Sequence, residues 1–327
     1  IRAVLDRATA AGDGPTAIRL GFAMWRYWQK RGHLAEARRR LEAIAAAPWS
    51  HDDPVLRARL MEAVGGVGWW TADLSLMAPA YEEALALWRS IGDRKEIANA
   101  LYNASFRHAV SQNIAESDPD GTGLSEMQEA LEIYREIGDD LGYANVIWGI
   151  GNYRYFRKGA DPEGGHGARE FGEALEIFRR VGDRTMEAWA LHMLGGAQVR
   201  TGALDESDAN HRAAMRLFHE AGDVAGIALV LDDLASVAVA RGDLPRAARL
   251  WGAARAVSSA SGVGLADFVD SQFEFYVRPN ARVALDPAEL ERFSNEGRAM
   301  TLDEAVAYAL ETTIDDLAPH DHTGAVR

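Results

Sequence analysis

One eleven-residue phrase recurs four times along the chain, and it limits the possible fold more than any other feature. The copies are EALALWRSIGD (83–93), EALEIYREIGD (129–139), EALEIFRRVGD (173–183) and AAMRLFHEAGD (213–223). Their glycines lie 46, 44 and 40 residues apart. Such self-similarity is typical of an array whose units cannot bury their apolar faces alone and therefore pack on their neighbours.

Each copy predicts the end of one helix and the start of the next. Apolar residues at helical spacing lead to an aromatic residue, which is Trp88, Tyr134, Phe178 or Phe218, and Gly-Asp follows. This pattern is typical of an amphipathic helix that ends at a glycine. The aspartate can cap the following helix by accepting its free N–H groups.

A second helical stretch, rich in small residues, precedes the phrase, as in 188–202 and 227–242. Small side chains allow two helices to approach closely. We therefore predict a hairpin unit made of helix A, a tight turn and helix B. The sequence contains no β-branched run with strand-like alternation, so the predicted fold class is all-α.

The predicted helices form six hairpins and a less periodic tail. The hairpins are expected near 16–31/34–47, 55–71/75–91, 94–113/124–137, 141–158/166–181, 184–201/204–221 and 224–241/244–260. The tail helices are expected near 264–277, 286–297 and 301–317. These helices predict a repeat array over 1–262, a helical C-terminal cap over 263–317 and a flexible tail over 318–327.

The unit resembles the tetratricopeptide repeat, which places Leu-Gly on helix A and Ala and aromatic positions on helix B. Matching residues are Leu194-Gly195, Gly202, Leu234-Ala235, Gly242, Ala247, Trp251 and Ala254. The period is longer than usual and the closing proline is lacking. The resemblance covers residues 55–260 and implies a right-handed α-solenoid.

The two ends of the chain resemble the C-terminal repeat region of large actinobacterial regulators. The resemblance rests on residues 22–42, 246–262 and 296–311. Those regulators join an ATPase of the NB-ARC/STAND type to a LuxR-type DNA-binding domain, a cyclase-like domain or an AfsR-like activator domain. The resemblance implies a sensor arm that binds an effector and signals to ATPase and DNA-binding domains of the same chain. Because the sequence opens on Ile1 in mid-pattern, we expect those domains to precede it.

Composition and motifs argue against several classes of function. The chain carries 49 acidic and 35 basic residues, a net charge of −14, which opposes direct nucleic-acid binding. It has no cysteine and no run of 18 apolar residues, so we expect no thiolate chemistry, no membrane span and a cytoplasmic location. Neither a phosphate-binding loop nor a nucleophile elbow occurs, so we expect no enzyme activity and no cofactor.

One segment partly matches a calcium-binding loop. Asp118, Asp120, Thr122 and Glu129 fall on the oxygen-ligand spacing of an EF-hand, with Gly123 between them. Proline follows the first ligand and Ser125 takes the apolar packing position. The favoured interpretation is therefore a turn that starts at Asp118, with Ser125 capping the next helix and Gln128 completing a capping box, and calcium is the weaker one. The nine histidines are scattered, without an i, i+4 pair on one helix, so no metal site is predicted.

Polar and aromatic residues on helix A predict a binding groove. When the copies are aligned on Ser105, Gly151, Gly195 and Ala235, these residues fall on the positions that line the inner groove of tetratricopeptide arrays. They are Asn99, Tyr102, Phe106, Asn145, Trp148, Asn152, Tyr155, Trp189, His192 and Asp232. A protein, a peptide or a small inducer could bind there. In the alternative interpretation the aromatic residues fill the core, and the chain is a structural or autoinhibitory scaffold that packs on the regulator's other domains.

Because the sequence contains no loop that could hold a triphosphate, this chain is expected neither to bind nor to hydrolyse ATP. Isothermal titration calorimetry with ATP and Mg²⁺ checks this expectation. A micromolar affinity would contradict it.

Overall fold

Helices account for every regular element in the computed structural model, which describes residues 1–108, 118, 120–156, 165–261 and 286–317. Within these residues there are fifteen α-helices, three 3₁₀ turns and no strand, which confirms the all-α prediction. The helices are α1 (Arg2–Ala11), α2 (Gly14–Lys30), α3 (Leu34–Ala45), α4 (Pro54–Trp70), α5 (Leu74–Ile91), α6 (Arg94–Ser105), α7 (Thr122–Ile137), α8 (Asp140–Phe156), α9 (Ala168–Val181), α10 (Arg184–Thr201), α11 (Leu204–Ala221), α12 (Val224–Ala240), α13 (Leu244–Ser261), α14 (Pro287–Arg298) and α15 (Leu302–Leu310). The 3₁₀ turns are Pro48–His51, Phe106–His108 and Ile314–Asp316.

All twelve helices of the predicted hairpins are present, as α2 to α13. The N-terminal helix α1 was not predicted from the repeat pattern. The expected helix over 301–317 is shorter in the structure, because α15 ends at Leu310 and Glu311 adopts a left-handed backbone with φ 54°. The helix predicted near 264–277 and the tail predicted over 318–327 lie outside the described residues.

The helix contacts divide the chain into two compact units. The first comprises Ile1–Gln29 and His33–Asp161, and the second comprises Lys30–Gly32 and Pro162–Arg327. In the first unit, consecutive helices between α3 and α8 pack against each other in pairs, from α3 with α4 to α7 with α8. In the second unit, consecutive helices pack in the same way from α9 with α10 to α13 with α14, and α15 packs against α11, α12 and α13. Packing within each unit is therefore sequential, as expected for stacked hairpins.

The repeated phrase ends its helix as the sequence predicts. Gly92, Gly138, Gly182 and Gly222 have φ of 87°, 72°, 77° and 61°, the left-handed region in which glycine avoids the steric cost of a Cβ. The next aspartate then accepts a backbone N–H at the start of the following helix. The pairs are Asp93 with Glu96 (3.1 Å), Asp139 with Gly142 (2.8 Å), Asp183 with Met186 (2.9 Å) and Asp223 with Gly226 (3.1 Å).

The aromatic residue of each phrase lies in the core. Trp88, Tyr134, Phe178 and Phe218 are at most 2% exposed. Two of these rings lie directly against a glycine near the start of the following helix. A Cβ added at Gly226 would lie 2.5 Å from the Phe218 ring, and one added at Gly142 would clash with the Tyr134 ring in the same way. The phrase therefore contributes both the turn and a core contact between successive hairpins.

Two helices at the C-terminal end cover the last hairpin. Helix α14 lies so close to α13 that a Cβ on Gly252 would lie 2.1 Å from the carbonyl oxygen of Ser294. From α13, Arg246 donates to the carbonyl oxygens of Tyr308 and Ala309 on α15, at 3.4 and 3.0 Å. Under this cover Leu250 is fully buried.

A pair of glycine substitutions tests this close packing. Gly297→Ala is expected to lower the free energy of unfolding by about 1–3 kcal/mol, because its Cβ would lie 1.9 Å from the carbonyl oxygen of Arg249 and force α13 and α14 apart. Gly172→Ala on α9 is the matched control. Its Cβ meets nothing within 4 Å, so the gain in helix propensity should stabilise the protein by about 1 kcal/mol.

Thermal or urea unfolding of both variants measures these changes. Equal effects of the two substitutions would contradict the close contact between α13 and α14.

Candidate functional site

A row of four aromatic side chains crosses three helical segments of the first unit. Trp69 at the end of α4 contacts Phe106 with ring centroids 5.1 Å apart, and Phe106 lies 6.3 Å from Trp148 on α8. Tyr102 of α6 meets Phe106 edge to face at 5.0 Å. We call Trp69, Tyr102, Phe106 and Trp148 the aromatic row. All four are partly exposed, so the row is neither a closed core nor an open surface.

Two polar atoms on α8 lack a hydrogen-bond partner among the residues that the structure describes. They are Nε1 of Trp148, which is a donor, and Oδ1 of Asn145, which is an acceptor, and both are buried. Residues three apart on a helix are neighbours on its surface, so these groups share one face of α8. An unpaired buried polar group is costly, and a ligand that supplies both an acceptor and a donor would remove the cost.

Other residues of the predicted groove stabilise the fold itself. Asn99 donates to Glu96 (2.9 Å) and accepts the hydroxyl proton of Tyr134. Asn152 is 5% exposed and donates to the carbonyl oxygen of Trp148 at 2.8 Å. Their amides therefore already have partners within the first unit.

Two tyrosines of the predicted groove also pack inside the first unit. The Tyr102 ring fills the space beside Gly149, where a Cβ would lie 2.9 Å away, and burial raises the pKa of Tyr102 far above its ordinary value. Tyr155 is partly exposed and meets Phe156 edge to face at 5.0 Å. Within the first unit, Trp148 and Asn145 are thus the predicted groove residues with an unpaired buried polar atom.

Three residues of the predicted groove lie in the second unit. Trp189 meets Phe218 at 4.8 Å and His192 at 5.6 Å, both edge to face, and Asp232 is buried. His192 belongs to a different arrangement from the aromatic row, because it lies against a second histidine and an aspartate.

This arrangement joins His192 of α10, His211 of α11 and Asp233 of α12. Oδ2 of Asp233 lies 2.6 Å from Nδ1 of His192 and 3.5 Å from Nε2 of His211. The three ligand-type atoms all lie within 4.8 Å of one another, a spacing that a metal ion could span. In the part of the chain that the structure describes, no other group of three or more histidine and acidic residues meets this spacing.

This cluster was not predicted from the sequence, because its two histidines lie on different helices and not as a pair on one helix. A signal was present in the repeat itself. His211 occupies the phrase-register position of Tyr81, Met127 and Phe171, which are all buried apolar or aromatic residues in the other copies. A histidine that replaces a core residue in one copy of a repeat marks that copy as chemically different.

Burial and charge set the protonation of the cluster. His211 is fully buried, and this burial lowers its pKa, so the neutral ring is favoured. Burial alone would raise the pKa of Asp233, but the positive charges that His192 and His211 can carry outweigh it and hold that pKa below its ordinary value. A neutral imidazole and an ionised carboxylate are the forms that ligate metals.

In the segment that resembles a calcium loop, each of the four candidate ligands already has a partner. Asp118 is buried and accepts the backbone N–H of Gly123 at 3.0 Å, which caps the start of α7. Thr122 donates to Asp120 at 3.0 Å, and Glu129 accepts from Arg89 at 2.9 Å. The predicted cap at Ser125 is wrong, because α7 begins at Thr122 and Ser125 lies inside it; Asp118 supplies the cap instead.

Comparison with models of known protein families gives no match, and a search of curated proteins also finds none. Among the described residues, no helix combines the length and apolar character that crossing a lipid bilayer requires. Function must therefore be argued from the geometry of the chain itself.

The capping contacts of Asp118 lead to an expectation about calcium. Millimolar Ca²⁺ should leave the melting temperature unchanged, because ligation would compete with the hydrogen bond to Gly123. Differential scanning fluorimetry with Ca²⁺, and with Mg²⁺ as the control, measures this. A rise with Ca²⁺ that is abolished in Glu129→Gln would overturn the expectation.

Proposed function

We propose that the chain is a protein- or effector-binding module of tetratricopeptide-like hairpins, and that the aromatic row of its first unit binds a peptide segment. The observation that carries the proposal is the unpaired Nε1 of Trp148, three residues along α8 from the unpaired Oδ1 of Asn145. A peptide backbone offers a carbonyl to the first and an N–H to the second. The partly exposed rings next to them offer apolar contact to its side chains.

The proposed role is binding rather than catalysis. Ser207, His211 and Asp233 have the composition of a hydrolase triad, but Ser207 is fully buried. Its hydroxyl donates to the carbonyl oxygen of Gly195 at 2.9 Å. A nucleophile needs access to substrate and a base that accepts its proton. This geometry supports neither requirement.

In the wider proposal, the module is the sensor arm of a cytoplasmic actinobacterial regulator that also carries a STAND-type ATPase and a LuxR- or AfsR-like DNA-binding domain. The sequential hairpins fit a right-handed α-solenoid of this kind. The acidic charge of −14 fits an arm that leaves DNA contact to another domain. Partner binding would then change the contacts between the arm and the ATPase.

A second candidate function is a scaffold that packs on the regulator's own domains without an external ligand. The hydrogen bonds of Asn99 and Asn152 favour it, because these amides serve the fold and have no need of a partner. The two functions differ in whether Trp148 contributes to binding.

Two substitutions of Trp148 separate binding from stability. Trp148→Phe keeps an apolar ring but removes the unpaired donor, so it should leave the melting temperature unchanged or raise it slightly. Trp148→Ala removes the whole ring and should weaken peptide binding by about 2 kcal/mol, roughly 30-fold. Trp148→Phe should weaken it by up to about tenfold, the value of one hydrogen bond.

The probe is a set of peptides selected against the wild-type chain from a random phage-displayed library, labelled for fluorescence anisotropy. Tyr27→Ala is the control, since Tyr27 is 42% exposed and lies outside the aromatic row. Loss of affinity in the Trp148 variants but not in Tyr27→Ala supports the proposal. If peptide affinity is equal in all folded variants, or if selection gives no peptide, the scaffold function takes its place.

A further inference from the structure

We propose that His192, His211 and Asp233 bind a divalent transition-metal ion of the zinc class, which joins α10, α11 and α12 of the second unit. Two imidazoles and a carboxylate are donors that suit Zn²⁺ in proteins. The side chains come from three successive helices, so the ion would link a complete hairpin to the first helix of the next one. This inference is independent of the proposed peptide binding, which concerns the first unit.

The spacing of the donor atoms fits one shared ion. At Zn–N and Zn–O lengths of about 2.0–2.1 Å, two donors of a tetrahedral ion lie about 3.3 Å apart. The two measured distances to Oδ2 of Asp233, 2.6 Å and 3.5 Å, lie on either side of this value.

The surroundings of His211 can hold its proton on either ring nitrogen. Without an ion, Nε2–H donates to the carbonyl oxygen of His192 at 3.2 Å, because a carbonyl oxygen can only accept. When Nε2 ligates an ion, Nδ1 carries the proton and faces the hydroxyl oxygen of Ser207 at 3.3 Å, since that hydroxyl donates to the carbonyl oxygen of Gly195 at 2.9 Å. A metal-bound histidine is commonly oriented in this way by its other nitrogen.

In the tautomer that ligates an ion, Nε2 of His211 lies among oxygen acceptors. It is 3.2 Å from the carbonyl oxygen of His192 and 3.5 Å from Oδ2 of Asp233. A metal cation between Nε2 and the carboxylate offsets the repulsion among these groups.

The contact between His192 and Asp233 is also incomplete as a hydrogen bond. Nδ1 of His192 and Oδ2 of Asp233 are only 2.6 Å apart, yet both atoms are buried without a hydrogen bond of acceptable geometry. Two ligand atoms of the same metal ion point at the ion and not at each other. The two atoms are close together, buried and poorly aligned for a hydrogen bond. These features fit two ligands of one metal ion better than an ion pair.

Three protein ligands leave one position of a tetrahedral ion for water or for a group of a bound molecule. Because the ligands lie on three helices, the ion would stabilise the folded state of this part of the chain. The stability of the second unit should then depend on metal.

The test uses tag-free protein treated with EDTA and dialysed, then titrated with Zn²⁺ and, separately, with Co²⁺. The melting temperature should rise and saturate at one equivalent of Zn²⁺. Co²⁺ should give the visible d–d absorption of a tetrahedral site at the same stoichiometry. Asp233→Asn and His192→Asn should lower the affinity at least tenfold while the circular dichroism spectrum stays helical.

His219→Asn is the matched control. His219 pairs with Asp303 at 3.1 Å in the same unit but belongs to no three-ligand group among the described residues, so its loss should leave metal binding intact. Absence of both the Zn²⁺ shift and the Co²⁺ absorption in the wild type would overturn the proposal. Binding that persists unchanged in Asp233→Asn and His192→Asn would overturn it as well, because the metal would then lie elsewhere.

Discussion

The close approach of helix A to helix B at a small residue is the contact on which the hairpins α4/α5 and α10/α11 depend. In α4, Gly65 lies under the ring of Tyr81, where a Cβ would be 2.5 Å away, and in α10 Gly195 lies under the ring of His211 at 2.6 Å. The two glycines occupy the same position in their repeats. Any larger side chain there would separate the helices and expose the apolar faces that each hairpin buries. The small residue therefore fixes the distance between the two helices, and the ring opposite it fills the space.

This local character explains why the hairpin helices could be predicted from the sequence. A glycine with positive φ and a capping aspartate, such as Gly182 and Asp183, act within a few residues of their own position. Neither feature depends on contacts with distant parts of the chain, so the periodic pattern identifies every hairpin helix. Helix α1 and the break after Leu310 lack the phrase, and the sequence pattern missed them.

The candidate sites were harder to predict, because they depend on side-chain contacts between helices. Asn99 and Asn152 lie at expected groove positions, yet their amides bond to neighbours that no spacing rule identifies. The cluster around His211 needs residues from three helices, 19 and 22 positions apart along the chain. Repeat register reduces this difficulty, since it shows where one copy departs from the others. His211 is such a departure at an otherwise apolar buried position.

The helix-A position three residues before the small residue shows how one site in a repeat can acquire different chemistry. In the first copy it is Glu62, which is buried and accepts a hydrogen bond from Nε1 of Trp88 at 2.8 Å. Burial raises the pKa of Glu62, although Arg59 forms an ion pair with it at 3.2 Å. In a later copy it is His192, which lies against Asp233. In α8 it is Trp148, whose Nε1 has no hydrogen-bond partner in the described part of the chain. The repeat scaffold needs only a side chain of suitable size at this position. The contact of the polar end of this side chain can therefore differ from copy to copy. An external ligand can bind in the copies where the fold supplies no partner.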